Sequence, residues 1–207
     1  MDEQHVIGLN SFILLQIYNR MLQEKLLLAS KSPRRKHLLE LAAVEFDIQT
    51  KDTDESFPAS MLVEQVPEYI ALQKAKDIQL DFPNRTILAA DTVVVLHGEI
   101  IGKPQDRANA IQILTRLSGQ IHRVITGVVL LSPSQVISFS DSTEVEFHPL
   151  TLDQIEYYVD TCKPFDKAGA YAIQEWIGVV GIKKINGCFY NVMGLPISKV
   201  LTHYNKK

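Results

Sequence analysis

The stretch LLLASKSPRRKHLLEL, residues 26–41, decides how the fold begins. Its apolar run predicts a buried strand over residues 26–30. Ser32 followed by Pro33 is typical of an N-cap and a first helical residue, and the amphipathic pattern after them predicts a helix over residues 33–41. A strand that passes directly into a helix indicates an α/β unit at the start of the domain.

Two arginines occupy the first turn of that predicted helix. Arg34 and Arg35 lie where the helix dipole disfavours positive charge by a few tenths to ~1 kcal/mol each. A bound phosphate would reverse this effect, because it would meet free backbone N–H groups, the hydroxyls of Ser30 and Ser32, and two guanidinium forks. Alternatively, both arginines point to solvent or pair with surface acids, and the local pattern leaves the two interpretations equally open. Neither GxxxxGK[ST] nor GxGxxG is present.

The composition is that of an ordinary globular protein. The chain has 207 residues, of which 46% are hydrophobic and 22% charged, and its net charge is -3. This balance argues against a nucleic-acid-binding surface. The two cysteines, Cys162 and Cys188, lack zinc-site spacing, so we expect reduced thiols and a cytoplasmic location.

The first 24 residues differ from the rest. Their apolar stretch SFILLQIY is too short to span a membrane, and it lacks the basic residues that precede a signal peptide. We expect residues 1–24 to be an appendage, or the true start to lie downstream, where Met21 precedes the first strand. Residues 25–207 are then one catalytic domain with no membrane partner.

Apolar periodicity predicts alternating strands and helices along the remaining chain. This order favours the α/β class with a mixed, strongly twisted sheet. Further strands are predicted over residues 46–50, 86–96, 99–101, 122–131 and 136–147, with short strands around 179–184 and 188–192. Further helices are predicted over residues 67–80, 106–118 (Asp106 as N-cap), 151–159 (capping box of Thr151 and Gln154) and from Pro196 onward.

Asp91 interrupts the apolar strand ILAADTVVV together with Thr92. A carboxylate in mid-strand is costly unless it is paired, hydrated or bound to a metal. Neighbouring N–H groups would satisfy it in a purely structural role. In a functional role Asp91 is a general base or a ligand for a hard cation such as Mg²⁺, and the loop residues Asp54 and Glu55 are candidates to join it.

Three further lysines are candidates for contact with an anion. Lys103 lies in a GKP turn, Lys167 belongs to the segment DKAGAYAIQ, and Lys74 interrupts the apolar face of a predicted helix. Each also has an ordinary interpretation as a turn residue, a tightly packed segment or a lysine whose stem covers apolar surface. Together with the arginines and Asp91, they suit a polyanion accompanied by a metal.

These motifs in this order resemble the Maf family of nucleoside triphosphate pyrophosphatases. SKSPRR, a DE loop, AADTVV, GKP, LSG, HRVITGV, KAGAYAIQ and VMGLP all occur, and they cover nearly all of the chain from Leu26 onward. The resemblance implies a two-lobed fold around a central cleft, related to the inosine triphosphate pyrophosphatases. It also implies hydrolysis of a nucleoside triphosphate to a monophosphate and pyrophosphate with Mg²⁺ or Mn²⁺, and a homodimer as the usual assembly.

The resemblance also assigns roles to residues. Asp91 corresponds to the catalytic acid/base residue and, with Glu55, to the metal site. Substrate-specificity positions fall at Arg34, Thr92 and Gln174. The remaining cleft positions are expected to bind phosphate: Ser30, Arg35, Lys74, Lys103 and Lys167.

The same comparison indicates the substrate. SPRR, ADT and AIQ resemble the subgroup that prefers dTTP and UTP over 7-methyl-GTP, whereas Ala172 and the Glu175–Trp176 pair depart from its usual pattern. Two other functions remain as alternatives. One is a non-catalytic nucleotide sensor or partner-binding protein in cell-division control, and the other is a phosphomonoesterase.

Overall fold

A computed structural model describes residues 25–204, so the expected N-terminal appendage lies outside the described residues. The strands are β1 (Leu26–Leu28), β2 (Phe46–Ile48), β3 (Ile87–Leu96), β4 (Glu99–Ile101), β5 (Ile121–Leu131), β6 (Val136–Phe147) and β7 (Ile182–Asn186). The helices are α1 (Pro33–Leu41), α2 (Val66–Gln79), α3 (Arg107–Leu117), α4 (Leu152–Cys162), α5 (Trp176–Gly181), α6 (Phe189–Val192) and α7 (Ile197–Tyr204), with a 3₁₀ turn over Ala168–Ala170.

The strands form one mixed sheet, as the sequence predicts. Its order is β2-β1-β3-β5-β6-β7, and β4 pairs with β3 beside β1. β2, β1 and β3 run parallel, whereas the pairs from β3 through β7 are antiparallel. The parallel part comes from strand–helix connections through α1 and α2, and the antiparallel part comes from direct strand-to-strand turns. The α/β class is confirmed.

Helices cover both faces of the sheet. On one face α2 packs its Ala71, Ala75 and Ile78 against β1, β3 and β5. On the other face the larger core joins α1, α3, α4 and α7 to the same central strands. Gly127 of β5 permits the close approach of α2, because a Cβ there would lie 2.1 Å from the backbone nitrogen of Glu68.

The caps of α3 and α4 follow the sequence prediction, whereas Ser32 before α1 makes no side-chain capping hydrogen bond and the C-terminal strands differ from the prediction. The side chain of Asp106 accepts a hydrogen bond from Asn109, and Thr151 with Gln154 completes a capping box. The predicted strand over residues 188–192 is wrong, since this segment is α6. The predicted strand over residues 179–184 is right only from Ile182, because α5 precedes it. Tertiary packing overrides the high β-propensity of these short valine-, tyrosine- and phenylalanine-rich segments.

Candidate active site

A gap in the sheet edge creates the cleft that holds most of the predicted site residues. β1 pairs with β3 at Ile87 and Leu88, and β4 pairs with it from Val94 onward, while β5 covers the opposite edge throughout. Within residues 25–204, positions 89–93 therefore have no strand partner on the β1 side. A cleft of about 400 Å³ opens at this gap, and both Asp91 and Thr92 line it.

Asp91 and Thr92 project to opposite faces of the sheet, because side chains alternate along a strand. Asp91 shares a face of β3 with Ala89 and Val93, which pack under α2. Thr92 lies between Ala90 and Val94, which belong to the core on the other face. The cleft at the sheet edge is thus supplied with functional groups from both faces.

On the α2 face, one lysine joins two carboxylates. Nζ of Lys74 lies 2.7 Å from Oδ1 of Asp91 and 2.7 Å from Oε1 of Glu55. Lys103 lies 4.0 Å from the second oxygen of Glu55. Burial raises the pKa of Glu55, but the hydrogen bond and charge of Lys74, with help from Lys103 and Arg35, outweigh burial and lower it overall. The two carboxylates therefore converge on the ammonium group of Lys74.

On the opposite face, Arg35 is buried in the wall of the cleft. Its Nε donates to the carbonyl of Gly194 (2.8 Å), Nη1 to the hydroxyl of Ser30 (3.1 Å) and Nη2 to the hydroxyl of Thr92 (3.0 Å). Burial lowers the pKa of Arg35, and the charge of Asp91 opposes this effect. An arginine nevertheless remains protonated, so a fixed positive charge lies behind Thr92.

Arg34 and Lys167 share an acidic partner that the sequence prediction missed. Nε of Arg34 donates to the carbonyl of Met193 (3.3 Å), and its Nη1 lies 3.6 Å from Asp166. Lys167 is buried, 2.7 Å from Asp166 and 3.5 Å from Glu175. Both arginines therefore turn toward the C-terminal part of the chain. Neither points to open solvent.

The cleft is more basic than the protein around it. Its lining contains seven basic and four acidic side chains, whereas the whole chain carries a net charge of -3. Such a surplus of cations in a concave site favours an anionic ligand. The basic residues are Lys31, Arg34, Arg35, Lys51, Lys74, Lys103 and Lys167, and the acidic residues are Asp52, Glu55, Asp91 and Asp166.

Two predicted site residues do not line this cleft. Asp54 instead accepts hydrogen bonds from the backbone nitrogen and the hydroxyl of Ser56. The other is Gln174. It is exposed in the turn between Ile173 and Glu175. Tyr158 of α4 anchors this turn, since its hydroxyl accepts from the Ala172 nitrogen (3.1 Å) and donates to the Glu175 carboxylate. The other predicted residues all meet in the cleft. The carbonyls of Met193 and Gly194 carried no sequence signal, because any residue type supplies a carbonyl.

An apolar wall closes the Thr92 side of the cleft. Val94, Val124, Tyr171 and Val192 contribute to it. Behind Tyr171, the buried His122 forms a 2.7 Å hydrogen bond through Nε2 to the tyrosine hydroxyl, and burial lowers its pKa to about 4. His122 is therefore neutral and fixes the tyrosine ring. A flat apolar group would fit against this wall, with charged groups on the α2 side.

Comparison with known families identifies this arrangement. A family profile described as "Maf-like protein" matches residues 25–206. The chain belongs to the Maf family. This agrees with the resemblance carried by the sequence motifs.

Several curated members of the Maf family are similar to the chain over most of their length. A dTTP/UTP pyrophosphatase of Cytophaga hutchinsonii is 47% identical over 188 residues, covering 91% of this chain and 86% of that protein. Proteins of the same name from Bacteroides thetaiotaomicron and Halalkalibacterium halodurans are 45% and 47% identical, covering 88% and 85% of this chain and 95% and 92% of their own.

A solved structure supports the expected fold. A HAM1 protein from Coxiella burnetii matches with a TM-score of 0.50 at 15% sequence identity, covering 89% of this chain and all of that one. At this identity the likeness concerns the fold alone. It agrees with the expected relation to the inosine triphosphate pyrophosphatase-like fold.

Proposed function

We propose that this Maf protein hydrolyses dTTP and UTP to the nucleoside monophosphate and pyrophosphate. The observation that carries the proposal is the cluster of Asp91, Lys74 and Glu55 at the open edge of β3, in a cleft where cations exceed anions. Relatives at 45–47% identity carry the name dTTP/UTP pyrophosphatase, and this name supplies the choice of nucleotide.

The proposed phosphate contacts come from both faces of the cleft. Arg34, Lys103 and Lys167 have side chains that are not fully used by protein acceptors, and they would neutralise phosphate oxygens. Arg35 and Ser30 are hydrogen-bonded to each other within the wall, so the guanidinium fork of Arg35 is held in a fixed position in which it would bind phosphate oxygens. Four of the five predicted phosphate-binding positions are thus kept, Arg34 joins them, and the fifth, Lys74, lies beside Asp91.

Asp91 is the proposed general base. Its carboxylate is largely shielded from solvent and held at 2.7 Å by Lys74, so its orientation is fixed before substrate binds. In this role it orients a water toward the α-phosphorus and accepts a proton from that water, while Lys74 and Lys103 neutralise the departing pyrophosphate.

The residues present fit a divalent metal. Glu55 and Asp91 converge, and Mg²⁺ is typically held by one or two carboxylates together with phosphate oxygens. No group of three or more potential metal-ligating side chains occurs among the described residues, so substrate oxygens would have to supply the remaining ligands. When bound by these two residues, Mg²⁺ or Mn²⁺ would neutralise phosphate charge.

Base recognition is assigned to the Thr92 side. The apolar wall around Tyr171 would take the face of a pyrimidine, and Arg34, Thr92 and Gln174 stay the predicted specificity positions. Gln174 lies outside the cleft lining, so its contact with a base would require the turn after Ile173 to approach the ligand.

The remaining expectations stay predictions. They are a homodimer, no nucleic-acid partner, a cytoplasmic location and a single domain over residues 25–207. The part of the chain that the structure describes contains no helix long and apolar enough to cross a membrane.

Asp91→Asn tests the proposal. We expect pyrophosphate release from UTP to fall roughly 10²–10⁴-fold, the usual effect of losing a general base, in a variant that remains folded. Asp153→Asn, an exposed first-turn residue of α4, is the matched control. Near wild-type turnover in Asp91→Asn would refute the assignment.

The same assay separates the alternatives. Phosphate and pyrophosphate are measured separately for all common and methylated nucleotides. A non-catalytic sensor binds nucleotide without turnover and tolerates Asp91→Asn, and a phosphomonoesterase releases phosphate alone.

A further inference from the structure

Two consecutive carbonyls orient both site arginines. Nε of Arg34 donates to Met193, and Nε of Arg35 donates to Gly194. Gly194 has a φ of 108°, a conformation that glycine adopts without strain. The position of the segment after α6 therefore sets the direction of both guanidinium groups, although the segment itself contributes no charge.

Asn191 anchors this segment to the sheet. Its side chain is fully buried, and Nδ2 donates to the Val124 carbonyl (2.9 Å) and to the Thr143 hydroxyl (3.0 Å). Its backbone carbonyl accepts from the hydroxyl of Thr126 at 3.1 Å. Three hydrogen bonds thus hold Asn191, which lies two residues before Met193 and three residues before Gly194.

Thr126 also reaches Arg35 by a second route. Because its own proton is donated to Asn191, it accepts the proton of Thr92 at 2.9 Å, and Thr92 in turn accepts from Arg35. This chain of hydrogen bonds has one consistent set of donors and acceptors, while the buried Oδ1 of Asn191 has no hydrogen-bond partner among the described residues. Hydrogen bonds linked in this way fix geometry more strongly than isolated pairs.

We propose that Thr126 and Asn191 are positioning residues that determine substrate affinity through Arg34 and Arg35. Neither residue lines the cleft. The inference rests on the proposed function only for the identity of the triphosphate. Two forks that bind one phosphate chain must be aligned to within a fraction of an ångström, so loosening their shared support weakens both contacts at once.

A matched pair at Thr126 tests the proposal. Thr126→Val keeps the volume and removes the hydroxyl, whereas Thr126→Ser keeps the hydroxyl. We expect Thr126→Val to raise KM for UTP ~10-fold with kcat changed less than ~3-fold, because phosphate binding is weakened in ground and transition states alike. Thr126→Ser should restore most of the affinity. A wild-type KM in Thr126→Val, or equal effects of Val and Ser, would overturn the inference.

A second variant and a direct binding measurement keep the test decisive. If Thr126→Val does not fold, Thr143→Val takes its place in the test. This variant removes a hydroxyl that holds Asn191 from the side away from the cleft, and it should also raise KM. Ser118→Ala breaks a hydrogen bond to Leu150 outside the site and should leave KM unchanged. Wild-type KM values in a folded Thr143→Val protein would then overturn the inference.

Affinity for inorganic tripolyphosphate, measured by calorimetry, separates this inference from the proposed function. If the wild type binds tripolyphosphate but releases no pyrophosphate from any nucleotide, the proposed function fails. In that case a ~10-fold weaker affinity of Thr126→Val supports the positioning role, and equal affinity rejects it.

Discussion

Lys74→Met should destabilise the protein measurably, because it removes the positive charge that bridges two converging carboxylates on the α2 face. Removing one partner of a buried ion pair costs ~3–5 kcal/mol. Here the side chains of Lys74 and Asp91 are 18% and 14% exposed, but that of Glu55 is 48% exposed, so solvent offsets part of the loss. We expect a decrease of about 2 kcal/mol in the free energy of unfolding at pH 7.

The decrease should depend on pH in a defined direction. In the native protein the pKa of Glu55 is lowered, so this residue contributes stability above its usual pKa and loses the contribution as pH falls through the lowered value. Lys74→Met removes the hydrogen bond and charge that lower this pKa. The difference between wild type and variant should therefore be largest near pH 7 and shrink toward pH 4.

Urea unfolding of both proteins at pH 7, 5.5 and 4 measures this difference directly. Lys103→Met is the matched control, because Lys103 is 58% exposed and 4.0 Å from the same glutamate, and its loss should cost below ~0.5 kcal/mol. A Lys74→Met protein as stable as the wild type at pH 7, or a loss that stays constant down to pH 4, would refute this account of the carboxylate cluster.

Two further predictions concern the scaffold. Gly127→Ala should lower the free energy of unfolding by about 3 kcal/mol, because the new Cβ would meet the backbone of α2, and it should lower activity by displacing Lys74 of that helix. Gly102→Ala is the control, because the space at its Cβ is open and the urea midpoint should stay unchanged. Because the native pKa of His122 is about 4 and its usual value is 6.5, the unfolded chain binds a proton that the native protein excludes between these values, and stability should fall by up to ~3 kcal/mol as pH falls through that window. Replacing His122 by Gln should remove this slope in urea titrations, and an unchanged slope would contradict the assignment.

The sequence predicted most of the regular structure because its periodicity was strong. The long strands β3, β5 and β6 and the capped helices α3 and α4 lie within a few residues of their predicted bounds. The errors fell on α5 and α6, which are only six and four residues long. In elements of that length one buried group decides the conformation, and the buried side chain of Asn191 is such a group.

The site was predictable in its charges but not in its supports. Lys74 and Asp91 stood out because each interrupts an apolar pattern, and the structure brings them within 2.7 Å of one another. The pairing of Asp166 with Arg34 and Lys167 depends on the path of the chain around the 3₁₀ turn, which residue spacing does not encode. Contacts through backbone carbonyls were equally invisible, since they carry no residue type.

The gap beside β3 explains how two adjacent residues serve two different parts of one site. In a fully paired strand, Asp91 and Thr92 would be isolated from each other by the sheet, because one points under α2 and the other into the opposite core. Where β1 has ended and β4 has not begun, the edge is open and a ligand can contact both faces. Arg35 of α1 reaches the Thr92 side of this opening, where it donates to the Thr92 hydroxyl. A single break in strand pairing therefore lets Asp91 and Thr92 both line one cleft, as the proposed function requires.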